Sequence, residues 1–283
     1  MPSFTSRQWI TVACAVVLLI SLFFINRKSI QVKEPDHSEM NGSAQNNKGF
    51  DTLFNQAEKQ VSEPAKTKIS SYLKALNTAP QPIQVRLYDS IILVYDSIGM
   101  QLQANYYNEK IAGLQHSSEK WSHSGEGYYN FSELINATAR TPVLQRAITC
   151  FTNALSIDSS YLNAKVGLGQ CIVQSGGNPM QGIAMIEDVL KKDSNNLKAQ
   201  SALGEFSMQS GQYAKAINRF QKVLKIAPDY IKAYLYLAQA YESSGDKKTA
   251  VSYLKKYSTF ATDTSLKRQV DDYVKKFEAE TKK

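Results

Sequence analysis

The chain has 283 residues, of which 43% are hydrophobic and 20% charged, with a net charge of +8. That length and apolar content suit one or two globular domains with a substantial core and exclude a disordered chain. Three histidines, and three cysteines without any C-x-x-C spacing, leave the usual zinc and redox motifs out.

After a short tail, residues 1–8, the stretch WITVACAVVLLISLFFI from Trp9 to Ile25 carries no charge and is bounded by Arg7 and by Arg27 with Lys28. At about 1.5 Å per residue such a run just spans a hydrocarbon core, with Trp9 as an interfacial anchor, so residues 9–25 read as a single transmembrane helix. A cleaved signal peptide needs a small-residue site after a shorter apolar core, and this run ends instead in SLFFINRK. The TVAC at Thr11–Cys14 has some likeness to a lipoprotein cleavage site, but it lies close to Arg7 and the apolar run continues well beyond it. The anchor implies a single-pass protein of the inner (plasma) membrane. Arg27, Lys28 and Lys33 outnumber Arg7 plus the amino terminus, which tilts the expected placement of the soluble part toward the cytoplasm, with the periplasm as the alternative.

Residues 26–49 are polar, with SEMNGSAQNNKG at their heart, and read as a flexible tether. Residues 50–82 read as a short helical cap. In it Phe50, Leu53, Phe54, Ala57 and Val61 recur at helical spacing, and a second helix runs from Thr67 to Leu76 before the Pro80 and Pro82 pair.

From residue 83 to 264 a pattern repeats. Its clearest copy holds Leu203, Gly204, Gly211, Tyr213, Ala216, Phe220 and Pro228, and 34 residues on come Ala238, Gly245 and Ala250. Going backward, Gly169 leads to Gly182 and Ile186, and Trp121, Gly125 and Tyr128 lead to Ala147 and Phe151. A fainter first copy holds Tyr88, Tyr95, Gly99, Ala104 and Ile111. This spacing resembles the tetratricopeptide repeat (TPR) family, and in particular membrane-anchored bacterial members of uncharacterised role. Trp121, Gly125 and Tyr128 match the first half of the family signature, with Ser124 in place of Leu, and Ala216, Phe220 and Pro228 match the second.

The resemblance implies an all-α, TPR-type helical-hairpin solenoid of about five repeats, each a pair of antiparallel helices. Its Gly125, Gly169 and Gly204 would let the two helices of a pair approach closely. Residues 265–283 then supply a capping helix, with Leu266, Val270, Tyr273, Val274 and Phe277 on one face. The second copy carries about ten extra residues, 131–141, in which Thr141–Pro142 reads as the cap and first turn of the second helix. Asn178–Pro179 reads the same way in the third copy. The resemblance also implies a concave partner groove lined by first-helix positions, here Arg86, Asp89, Glu126, Tyr129, Gln170, Val173, Lys198, Glu205, Met208, Lys232, Gln239 and Glu242. The Lys and Asn clamp by which some relatives hold a chaperone's terminal carboxylate is not reproduced.

No phosphate-binding loop and no nucleophile elbow occur; the GEG at Gly125–Gly127 stands alone inside a helix. Glu119 and His123 have metal-compatible spacing but lack a third ligand in register. Cys150 and Cys171 fall on apolar helix positions as packing thiols. The whole positive excess lies in residues 191–283, read as a lysine-rich solvated surface open to weak contact with an anionic surface rather than a nucleic-acid site. The resulting expectation is a non-catalytic scaffold or adaptor, with no cofactor and no metal, holding a protein or peptide in the groove. The alternative is a structural subunit of a membrane or envelope assembly that uses its outer surface or the 131–141 insertion.

Overall fold

The computed structural model describes residues 41–260 and 264–281, and every regular element among them is an α-helix. The predicted transmembrane helix at 9–25, the preceding tail and most of the tether lie outside the described residues. Among the described residues no helix is long and apolar enough to cross a membrane. The chain divides into two units, residues 1–47 and residues 48–283. Only the opening turns of helix α1, Asn41–Glu58, are described in the first. Asn41–Lys48, assigned to the tether by its polar composition, is therefore helical. Helix propagation costs far less than nucleation, and the apolar face from Phe50 onward supplies the nucleus.

The second unit is a row of helical hairpins. Helix α2, Glu63–Leu76, buries Ala65 and Ile69 on α3, Gln81–Ser97, whose Ile91 and Tyr95 face them. The first hairpin pairs α3 with α4, Gln101–Gln115; the second pairs α5, Ser118–Glu133, with α6, Ala137–Ile157. The third is α7, Leu162–Gln174, with α8, Pro179–Lys192, and the fourth is α9, Leu197–Gln209, with α10, Tyr213–Ile226. The fifth joins α11, Ile231–Ser243, to α12, Lys247–Phe260, and α13, Thr264–Thr281, follows it. Val270 and Val274 of α13 pack with Tyr234, Val251 and Tyr257, closing the apolar end that a repeat stack otherwise leaves open. The side chains of Leu266 and Phe277 lie outside the described set.

Why the hairpins close so tightly is visible at the small residues. A Cβ built on Gly204 would stand 2.8 Å from the Phe220 ring, and one on Gly125 would stand 2.9 Å from the Phe151 ring. Phe151 reaches further: a Cβ on Gly167 of the next hairpin would lie 2.2 Å from its Cζ, so one ring is clasped by two glycines of adjacent hairpins. In the third hairpin glycine stands on both sides, and a Cβ on Gly169 would be 2.8 Å from the carbonyl oxygen of Gly182. Ala216, Phe220 and Val223 recur every third or fourth residue on α10 and are fully buried, as the amphipathic period requires. Ala250 is buried at the matching place in the fifth hairpin. Trp121 is partly buried against the core around Tyr128, and the exposed Pro228 accepts a hydrogen bond from Tyr234 Oη at its carbonyl, 2.8 Å.

The 131–141 insertion is not a loop with a fresh helix start at Thr141. Helix α6 begins at Ala137, capped by Asn136, whose Oδ1 accepts from Ala139 N at 3.0 Å, and Pro142 sits inside the helix. An Asn side chain caps the first turn at least as well as Thr. The insertion is spent instead on length: α5 and α6 have 16 and 21 residues, against 13 and 14 in the hairpin that follows. At the third hairpin the predicted cap holds, with Asn178 Oδ1 accepting from Met180 N and Pro179 opening α8.

The lengthened pair forms a bed for α1. Phe50 is 2% exposed, its ring meeting Tyr128 edge-on at 5.6 Å between centroids, with the Arg146 guanidinium 4.8 Å from the Phe50 centroid on the other side. Phe54 lies 4.9 Å from Tyr106, and Gln103 Nε2 donates to the Phe54 carbonyl. Beneath Phe50, Glu109 accepts from Tyr128 Oη at 2.8 Å and from Arg146 Nε at 2.7 Å. Burial disfavours the charged guanidinium, but Glu109 outweighs it and holds the Arg146 pKa above its ordinary value. Burial next to Glu109 pushes the Tyr128 hydroxyl up as well.

Candidate partner groove

One ion pair links the first helices of neighbouring hairpins. Lys198 Nζ on α9 reaches Glu126 on α5 at 2.5 Å, passing over α7, where it also approaches the Asn163 carbonyl at 3.4 Å. Packed helices lie about 8–10 Å apart, so a lysine and a glutamate that flank a third helix meet only across a face that all three share. Side chains of the first helices α5, α7 and α9 therefore share one face of the array, with Glu126 and Lys198 on it.

Next to this pair lies a polar and aromatic cluster. Tyr129 Oη accepts from Gln174 Nε2 at 3.3 Å, and Ser201 Oγ lies 3.4 Å from both Glu205 Oε1 and Tyr230 Oη. Tyr236 lies beside Glu205, and its ring is stacked on Phe220 at 4.7 Å between centroids, so the hairpin core fixes its place on this face. Burial raises the Glu205 carboxyl above its usual pKa; Lys232, Ser201 and Tyr236 pull against that, and the charge of Glu133 adds to it. Burial likewise raises the hydroxyls of Tyr129 and Tyr236, with Glu133 and Glu205 respectively the next cause. The cluster offers acceptors, donors and ring faces in a partly dehydrated setting, the chemistry that holds a peptide backbone and a basic or hydroxylated side chain.

The structure thus brings together Glu126, Tyr129, Lys198, Glu205 and Lys232 of the residues proposed from sequence. Gln170 is buried on α7, and Gln239 is exposed on α11. Arg86 and Asp89 are exposed on α3 and share no ion pair or hydrogen bond with the others among the described residues. Three assignments move. Val173 packs on Gly182 of α8, where a Cβ would stand 2.8 Å from Val173 Cγ2, because glycine at both contact positions draws the third hairpin together. Met208 is packed against the core of Ala216, Phe220 and Leu237. Glu242 accepts from Tyr273 Oη of α13 at 2.5 Å and so serves the cap. Sequence reasoning missed Glu133, Gln174, Ser201, Tyr230 and Tyr236. Ser201 stands at a groove-lining register of α9, but nothing in the sequence distinguishes the inward-facing tyrosines from those in the cores.

Glu119 and His123 line a small polar recess of 280 Å³ with Ser122, Glu126 and Asn163, and no group of His, Cys, Asp and Glu that could hold a metal ion occurs among the described residues. Cys150 and Cys171 are free and fully buried. Burial pushes both thiols up, the Cys171 pKa to about 12, which removes the thiolate that reactivity needs.

Hairpins of this register, with small residues at the crossings and a shared face of first helices, define the chain as an all-α TPR-like repeat array. Residues 196–282 match the family described as Regulator of microtubule dynamics protein 1-3. Superkiller protein 3 of Schizosaccharomyces pombe is 24% identical over 247 residues, covering 78% of this chain but 17% of that protein, so the chain corresponds to a small part of its relative's length. Among solved structures, MamA 41-end from Desulfovibrio magneticus RS-1 is similar over 64% of this chain and 97% of its own, at 21% identity and a TM-score of 0.43. YrrB, a TPR protein with an unusual peptide-binding site, is similar over 71% of this chain and 97% of its own, at 16% identity and a TM-score of 0.40.

Proposed function

We propose that the protein is a non-catalytic scaffold, held to the inner (plasma) membrane by residues 9–25, that binds a protein or peptide segment on the concave face of its repeat array. The observation that carries the reading is the Glu205 cluster, where a half-buried carboxylate, the buried Ser201 and the Tyr230 hydroxyl come together beside Tyr236. Buried polar groups that are only locally satisfied favour an extended partner able to supply further donors.

Photo-crosslinking in intact cells tests the groove. A benzophenone amino acid at Gln239, exposed on α11, should capture a partner, and Glu205→Ala should abolish that adduct. The same group at Leu134, 71% exposed in the insertion, tests the alternative of a structural subunit that makes contact through its outer surface. Adducts at Leu134 and none at Gln239 would favour the structural subunit. The proposed topology has its own test, a single cysteine at Ser43 with the native cysteines replaced. Protection from a reagent that cannot cross the inner membrane until cells are lysed fits a cytoplasmic array, and labelling of intact cells would place it in the periplasm.

A further inference from the structure

The bed that receives Phe50 has a counterpart two hairpins further along. Superposing the repeats by sequence register matches Gly125 with Gly204, and three residues on Tyr128 with Ser207. Ala147 matches Ala216, and the residue before each is Arg146 and Lys215. Ala104 matches Gly182, and five residues on Glu109 is matched by Glu187. The three side chains that frame the Phe50 slot, Glu109, Tyr128 and Arg146, thus correspond to Glu187, Ser207 and Lys215. Those three line one open cavity of 720 Å³ walled by α8, α9 and α10, whose lining includes none of Ser201, Glu205, Tyr230 and Tyr236.

Ser207 is the reason for the cavity. At that register the other hairpins carry Tyr95, Tyr128, Ile172 and Tyr241. Each is a large side chain, and Tyr241, for example, fills its own place by stacking on Tyr253 at 5.6 Å. A serine there, whose hydroxyl turns back to the Leu203 carbonyl, leaves the volume of a ring unfilled. The floor remains apolar, with Phe206 and Ile183, and Met180 stands 68% exposed at the edge. The rim differs in charge from the Phe50 bed. There Arg146 and Glu109 neutralise each other at 2.7 Å. Here Lys215 turns to Gln212 Oε1 at 2.6 Å, and Lys215, Arg219 and Lys222 face a single acid, Glu187.

We propose that this cavity is a second docking site, for a short amphipathic helix of a partner protein that inserts one aromatic side chain over Ser207 and sets acidic residues against Lys215, Arg219 and Lys222. The chain's own α1 shows a helix seated at the equivalent register, since Gly49–Glu58 packs an apolar face with one buried aromatic against Tyr128; at the second site, where Ser207 stands for that tyrosine, the partner's ring takes the place of the missing one. The cation over the ring recurs as Lys215 for Arg146, and the unbalanced positive rim selects an acidic helix rather than a neutral one. The site is separate from the concave groove and does not depend on it.

The test uses full-length protein in non-ionic detergent and a fluorescein-labelled synthetic peptide with the sequence of residues 41–60 carrying Lys48→Glu and Lys59→Glu. Fluorescence anisotropy should show saturable binding, at least tenfold weaker for the same peptide with Phe50→Ala, and at least tenfold weaker for a basic peptide, residues 41–60 with Lys48 and Lys59 kept and Asp51→Lys and Glu58→Lys introduced. In the protein, Ser207→Tyr should fill the slot and reduce affinity for the acidic peptide at least tenfold. Lys215→Glu with Lys222→Glu changes only exposed rim positions, so it tests the site even should Ser207→Tyr perturb packing, and it should reverse the preference toward the basic peptide. Equal binding of acidic and basic peptides, or affinity unchanged by both protein variants, would overturn the proposal. Equally tight binding of the unaltered 41–60 peptide, together with Ser207-dependent self-association of the protein, would assign the slot to α1 of a second copy and overturn the partner assignment.

Discussion

The ring of Phe220 and the backbone of Gly204 touch so closely that a single added methyl would stand 2.8 Å from Phe220 Cζ. The obstacle is a fully buried ring that is itself stacked on Tyr236, so it cannot swing away. Gly204→Leu is therefore expected to destabilise the protein by at least the ~1–3 kcal/mol typical of overpacking, and Gly204→Leu with Phe220→Ala should cost less than the two singles combined. Urea denaturation followed by circular dichroism measures both. A Gly204→Leu protein as stable as its parent would refute the close-packing account.

Phe50→Ala empties a slot walled by Tyr128, Val143 and Leu144 and removes the ring beneath the Arg146 guanidinium. Buried Phe→Ala changes cost about 3–5 kcal/mol, but here the loss is bounded by the docking energy of α1, which can detach while the hairpins persist. Hydrogen exchange should show residues 48–58 losing protection by orders of magnitude while α9 to α12 stay protected.

Glu109 and Arg146 are 13% and 21% exposed at the side chain, and Tyr128 Oη shares the carboxylate. Arg146→Met alone strands a mostly buried carboxylate, a change that costs about 3–5 kcal/mol when a buried pair is broken. The double variant Glu109→Leu with Arg146→Met should recover part of that, with a coupling energy of about 1–3 kcal/mol in a double-mutant cycle. A coupling near zero would mean the pair contributes nothing beyond packing.

Glu205 carries the pH dependence. Burial raises its carboxyl pKa in the folded state, so between the ordinary carboxylate value and that raised value the native chain holds more proton than the unfolded one. Stability must then fall as pH rises through this window, the opposite sign to a salt-bridged acid. Glu205→Gln removes the effect while keeping an acceptor for Ser201. The variant should therefore gain stability over the parent above the window and lose that advantage in acid, as melting curves recorded from pH 4 to pH 8 would show.

The sequence by itself determined the periodic part of this protein. Gly125, Gly169, Gly204 and Ala250 mark the hairpin crossings because close helix approach excludes larger side chains, and a constraint that strict repeats at a fixed spacing. Ala216, Phe220 and Val223 declared the buried stripe of α10 for the same reason, since burial follows the 3.6-residue period. What only the tertiary structure decided is everything set by the relation of one hairpin to another. The 131–141 segment lengthens a helix pair on which Phe50 of α1 then packs, and α1 is a stretch of chain far from it in sequence. Val173, Met208 and Glu242 left the expected groove because the inter-helix distance at Gly182, the fit of the fourth hairpin core and the reach of α13 are sums over many contacts. Tyr236 entered the groove because Phe220 stacks beneath it. A repeat writes its own fold locally, through spacing and side-chain size. The faces it shows to partners arise from side chains of several hairpins at once, and no single copy of the repeat encodes them.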